Sequence, residues 1–262
     1  MMFKLLKYDL KGYFKDFIIM ACSIIILNLA LLTRINVWSS DAIFSLSMLI
    51  GFVASIIVVV WNVTVFSRDL YGDTSYLLFT IPKSGKNILM NKILTAIIQC
   101  FIVSAIVGIF TVILLQILRL TKNFMILDIV MFGKLLNAFT PQFIAVCIIL
   151  SFLMYITFLL TVYLSITLGK VAIKNRKFGK LGAFGIFVVL SIIQVKLEYV
   201  VSNIFPQSFN LKIMDMKNIA EASNYSVSNG VELNIAFIVL CIIIIVAMFY
   251  AVAYLIENKL DL

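Results

Sequence analysis

The chain predicts an all-α membrane protein with six transmembrane helices and both termini cytoplasmic. An amphipathic helix lies at the N-terminal interface, and a short helix sits on the cytoplasmic side between spans 2 and 3. Three observations predict this. Hydrophobic residues make up 63% of the 262 and charged residues only 13%, with a mean hydropathy of +1.15, far from the balance of a soluble domain. The apolar residues gather in six runs, at residues 17–33, 43–66, 93–118, 143–168, 181–205 and 233–255. A hydrocarbon core of ~30 Å takes about 20 helical residues, so most of these runs are long enough to cross it. The runs are also unbroken, without the alternation that a barrel lumen imposes on its strands. Residues 17–262 therefore form one membrane domain behind a leading segment, 1–16, and no soluble catalytic domain fits in the remainder.

The leading segment carries Lys4, Lys7, Lys11 and Lys15 on one stripe at ~100° per residue, with Phe3 and Phe14 well away from it. That pattern suits a helix in the inner interface, lysines towards lipid phosphate and aromatics towards acyl chains. A cleaved secretory leader also joins a basic segment to an apolar run, but here the charged segment is long and five more spans follow. Spans 1 and 2 are joined by a short outer link. Between spans 2 and 3, the stretch from Ser67 to Lys92 does not read like a solvated loop. Asp73 and Thr74 can cap a short helix made of Tyr76, Leu77, Leu78 and Phe79, which Pro82 ends. Four consecutive apolar side chains on a surface helix need something to lie against. Another protein can supply it, or the ends of the chain's own spans.

Residues 119–142 hold a second apolar stretch, read as an outer interfacial helix. The segment from Gly169 to Lys180 is a short basic connector. Span 5 opens with Gly182 and Gly185, a spacing of small residues that allows close helix approach. Its outer half carries Gln194, Lys196 and Glu198, with Gln194 and Glu198 on one face. These three line an outer vestibule or anchor the helix at the interface; both readings fit. Residues 206–232 make the longest outer segment.

With the first span running outward, 14 of the 21 Lys and Arg residues fall on the inner side: Lys4, Lys7, Lys11, Lys15, Arg68, Lys83, Lys86, Lys92, the five between Lys170 and Lys180, and Lys259. The positive-inside rule then places both termini in the cytoplasm. The net charge of +9 is explained by this topology and by attraction to membrane lipids, without calling for nucleic acid. Cys22, Cys100, Cys147 and Cys241 all fall within spans and read as small packing residues, and no metal-ligand spacing is present. The chain has no histidine, which removes imidazole metal sites and His-based triads. Gly85–Lys86 lacks the upstream glycine and the following hydroxyl of a phosphate-binding loop. No span holds a carboxylate at mid-depth, as a self-powered carrier would need. A membrane domain driven from outside the chain is what remains.

Six spans, inside termini, a basic amphipathic start and a helical first connector resemble the permease subunit of an ABC-2 type transporter. The residue-level resemblance runs from Arg68 to Lys92. It comprises an acidic residue at Asp69, a glycine at Gly72, the apolar run Tyr76 to Phe79, Pro82 followed by Ser84, and Lys92 opening span 3. Where the family more often has Glu, this chain has Asp69. The resemblance implies a multi-pass protein of the bacterial cytoplasmic membrane, paired with a second permease copy and two cytoplasmic ABC ATPase subunits. Arg68, Asp69, Gly72, Asp73, Tyr76, Leu77, Leu78, Phe79 and Pro82 would then be the ATPase-coupling residues. This chain would hold no catalytic residues, metal or cofactor, and ATP with Mg would bind the partner. Apolar spans suit an amphipathic or hydrophobic cargo. The likeness to small permeases of low-GC Gram-positive bacteria, including phenol-soluble-modulin and lantibiotic exporters, implies a toxin or antimicrobial peptide. Drug or lipid efflux by the same class is an alternative, as is a bacteriocin-immunity or sensor protein that transports nothing.

Overall fold

A computed structural model describes residues 14–35, 37–71, 84–121, 140–172, 176–212 and 230–258. Within them are six helices: α1 (Phe14–Thr33), α2 (Ser40–Tyr71), α3 (Gly85–Thr121), α4 (Pro141–Ala172), α5 (Arg176–Ile204) and α6 (Ile235–Asn258). Five of these carry apolar segments long enough to cross a bilayer, and α1 supplies a shorter apolar stretch, Phe17–Thr33. Much of their surface is greasy: none of the most apolar 18-residue window of α5 is buried, and Phe52, Phe101 and Phe184 are each well over half exposed. Apolar surface on this scale needs hydrocarbon around it. The chain is a multi-pass, helical membrane protein.

The helices overrun the apolar runs that seeded them. At 1.5 Å per residue, the 37 residues of α3 reach roughly 55 Å, well past a ~30 Å core. Phe14 and Lys15 belong to the same continuous helix as the first span and are exposed. The rest of the expected amphipathic helix, including Phe3, Lys4, Lys7 and Lys11, lies outside the described residues. So does the expected outer interfacial helix.

Two units make up the fold. In the first, α1, α2 and α3 pack in antiparallel order. One layer joins Met20 and Ile24 of α1 to Ala54 and Val58 of α2 and Val103 of α3. A second joins Leu31 and Ile35 to Ile43, Leu114 and Leu118. Between α1 and α2, the Ser47 hydroxyl donates to Asn28 Oδ1 at 3.0 Å, while Asn28 Nδ2 donates to the Ile24 carbonyl. Both side chains are buried, the kind of interhelical hydrogen bond that pins register where apolar contacts alone do not.

The second unit comprises α4, α5, α6 and a two-stranded antiparallel ladder, β1 (Ser208–Lys212) with β2 (Gly230–Asn234), together with residues 84–86 at the start of α3. The ladder is a small addition to an otherwise helical fold and begins within what read as the longest outer segment. Its geometry follows from Asn234. That side chain donates to the Phe205 carbonyl at 2.9 Å and accepts from the Ala236 amide at 2.8 Å. One residue thus satisfies the end of α5 and caps the start of α6, bringing the two flanking strands alongside one another. Thr140 caps α4 in the same way, accepting from the Phe143 amide, with Pro141 at the first helical position.

The second basic connector is mostly helix: α4 runs through Gly169 to Ala172, and α5 begins at Arg176. Gly169 permits the tight crossing, since a Cβ there would lie 2.9 Å from both the Gly179 carbonyl and the Ala183 methyl. Gly185, expected to mediate close approach, faces open space. The close approach instead uses Gly169 against Ala183, an arrangement the spacing within span 5 does not reveal.

Candidate functional site

The site is built where α2 ends and α3 begins, at the two roots of the 72–83 segment. Along the last turns of α2, Asn62, Phe66 and Leu70 are buried at four-residue spacing, so this face is turned inward. On α3 the matching face holds Leu89, Lys92, Thr95, Ala96 and Gln99, all buried. The two helices run antiparallel. Gly51 of α2 sits against Val107 of α3, with a Cβ at Gly51 only 2.7 Å from the Val107 side chain. Eighteen residues further along α2, Asp69 meets Lys92, fifteen residues back along α3. The helices form one long hairpin, and the 72–83 segment that joins them in sequence lies outside the described residues.

The hairpin is closed by an ion pair. Lys92 Nζ lies 2.6 Å from Asp69 Oδ2, with the side chains 7% and 17% exposed. An ammonium this deeply placed needs an opposite charge near it, and Asp69 supplies one. The contact is one of charges rather than a well-aligned hydrogen bond, since Asp69 Oδ2 has no donor of good geometry among the described residues. Asn62 Nδ2 donates to the Val58 carbonyl and Thr95 to the Asn91 carbonyl. A polar seam therefore extends from the ion pair into the hairpin.

Of the expected coupling residues, the structure brings Asp69 to Lys92 and leaves Arg68 exposed on the neighbouring face of α2. There Arg68 closes the end of an open apolar groove with Ile57, Trp61 and Val65. Gly72, Asp73, Tyr76, Leu77, Leu78, Phe79 and Pro82 lie outside the described residues.

Downstream of the 72–83 segment, Gly85 is buried against α6: a Cβ would lie 2.7 Å from the Ala253 carbonyl oxygen and 3.3 Å from Ile256. Lys86 Nζ stands 5.1 Å from the centroid of the Tyr250 ring, within cation–π range. Sequence reasoning passed over Tyr250 and Ala253. The one available signal was a glycine directly ahead of a cation at a helix start, and it does not name a partner.

In the outer half of α5, Gln194 and Glu198 are half-buried on one face and Lys196 is exposed on another. Gln194 reaches Thr161 of α4 at 3.2 Å. The Thr161 hydroxyl has one proton and donates it to the Thr157 carbonyl at 2.8 Å. The Gln194 contact therefore satisfies both groups when its amide NH₂ faces Thr161. Gln194 lies ten residues from the end of α5, about 15 Å, deeper than its expected place near the outer rim. Among the described residues no cluster of His, Cys, Asp or Glu could hold a metal.

No family model, curated protein or solved structure matches this chain.

Proposed function

We propose that this chain is the membrane subunit of an ATP-driven ABC-2 type exporter, moving an amphipathic or hydrophobic cargo, a toxin or antimicrobial peptide, out of a bacterial cell. It would work as a homodimer with two separate ATPase subunits that carry ATP and Mg, so the chain itself has no catalytic role. One observation carries the reading. Asp69 and Lys92, two positions that mark the ends of the permease-like stretch in sequence, meet as a buried ion pair at the roots of the 72–83 segment. A connector that must pass force to the membrane needs roots that do not splay, and a desolvated charge pair on a long helical hairpin resists splaying.

In this mechanism the helix around Tyr76 to Phe79 seats in a groove of the ATPase. ATP-driven closure of the two ATPases moves the paired connectors and tilts the hairpins attached to them. Access for the cargo then shifts between faces as the population moves from one arrangement to the other. Gln194 and Glu198, on the half-buried face of α5, would line the outer end of the path.

The test is the double substitution Leu77→Asp with Phe79→Asp. It removes apolar docking surface without altering any residue of α2 or α3, so the membrane subunit is expected to elute as a folded species in detergent while an ABC ATPase that co-purifies with the unsubstituted chain no longer does so. Retention of the ATPase by the variant would count against the coupling assignment.

A further inference from the structure

The contact between the start of α3 and the end of α6 has no role in the mechanism above. From it we infer that Gly85 and Lys86 are positioning residues that tie the downstream root of the connector to the C-terminal helix. By this contact α6 shares the stroke that the α2–α3 hairpin receives. The inference rests on the reading of the chain as an ATPase-driven permease and adds residues that reading does not assign.

The geometry points to a fitted seat. Gly85 is buried, and the atom nearest its missing Cβ is the backbone carbonyl oxygen of Ala253, at 2.7 Å. A carbonyl inside a helix cannot swing aside as a side chain can, so any side chain at 85 must push α3 and α6 apart. The Ile256 methyl and the Glu257 amide nitrogen close the seat at 3.3 and 3.4 Å. Beside it, the Lys86 ammonium lies over the Tyr250 ring at 5.1 Å. Tyr250 is 55% exposed, so the pair acts at the rim, where such a contact orients more than it stabilises. Residues 84–86 accordingly group with α4–α6, while the rest of α3 groups with α1 and α2. From this seat α3 runs unbroken to Thr121. A displacement of the connector's downstream end has α6 as its first neighbour.

The test uses the full chain with the ABC ATPase that co-purifies with it in nanodiscs and an environment-sensitive fluorophore on Glu257→Cys, the four native cysteines having been replaced. With ATP and Mg added, the unsubstituted seat is expected to give a fluorescence change at α6. Gly85→Ala should reduce its amplitude about tenfold, in the range of ordinary coupling free energies, while the ATPase stays bound. Gly108 faces open space, and Gly108→Ala should leave the signal intact. If Gly85→Ala does not fold, Lys86→Met and Tyr250→Leu carry the test, since both remove the rim contact without crowding the seat. An ATPase that stays bound while all these variants keep the full signal would overturn the inference and leave the permease reading standing. An ATPase that does not bind the unsubstituted chain at all would overturn both.

Discussion

Lys92 is a cation held almost entirely out of water. Its side chain is 7% exposed, and its charge is matched by Asp69 at 2.6 Å. Removing the carboxylate takes a close counter-charge away from a buried ammonium, a loss of about 3 kcal/mol or more in comparable cases. Asp69→Asn should therefore lower the thermal stability of the detergent-purified protein by an amount near that figure. The exchange Asp69→Lys with Lys92→Asp should recover most of it, because the pair is restored with its polarity reversed. A scan of unfolding temperature for the two single variants and the exchange checks this, and equal losses in all three would show that geometry rather than charge holds the site. Both residues were legible in the sequence as marks at the two ends of one connector. Their pairing was not. Burial and antiparallel register decide which of Asp69, Asp73, Lys83, Lys86 and Lys92 meet, and neither is written in residue spacing alone.

Among the described residues the helices follow the apolar runs in order, because a helix satisfies its own backbone hydrogen bonds in lipid. Their ends were less legible. Polar residues continue α2 to Tyr71 and open α5 at Arg176, since helix propensity does not stop where hydropathy does. The ladder of β1 and β2 was missed for a different reason: Asn234, which sets it up, falls at the start of the sixth apolar run and reads there as part of a span. Small residues give the sharpest contrast between sequence and structure. Gly169→Val should cost about 1–3 kcal/mol by overpacking the crossing of α4 and α5, because its branched side chain would meet the Gly179 carbonyl and Ala183. Gly185→Ala meets nothing within 4 Å and should be neutral or stabilising by up to about 1 kcal/mol through helix propensity. Comparing the two variants by thermal unfolding in one detergent separates a packing glycine from an incidental one. A similar loss in both would mean that backbone flexibility, rather than close approach, is what these glycines supply.

Across the whole molecule, an alternating path through the membrane constrains which segments share a side, and the described contacts obey it. The end of α6 touches the start of α3 at Gly85. If α3, α4, α5 and α6 each cross once, those two ends must lie on the same side, as the contact requires. The ladder of β1 and β2 follows α5 and precedes α6, so it belongs on the opposite side. By the positive-inside rule, the excess of lysine and arginine around Lys83, Lys86 and Lys170 to Lys180 would make the first side cytoplasmic. These steps combine into a labelling experiment on sealed inverted vesicles and on intact cells, using a chain without native cysteines and a membrane-impermeant maleimide. Ser84→Cys and Glu257→Cys should label in inverted vesicles and resist in cells, and Ser208→Cys should do the reverse. Should Ser84→Cys and Glu257→Cys label from different sides, one of the four helices does not cross, and the contact at Gly85 would have to form in some other way. Should the pair label together but from outside, the crossings stand and the charge argument fails; the 72–83 segment would then face away from any cytoplasmic ATPase, and the transporter reading would fail with it. The outcome thus tests topology and function through different residues, in one measurement that does not require knowing the cargo.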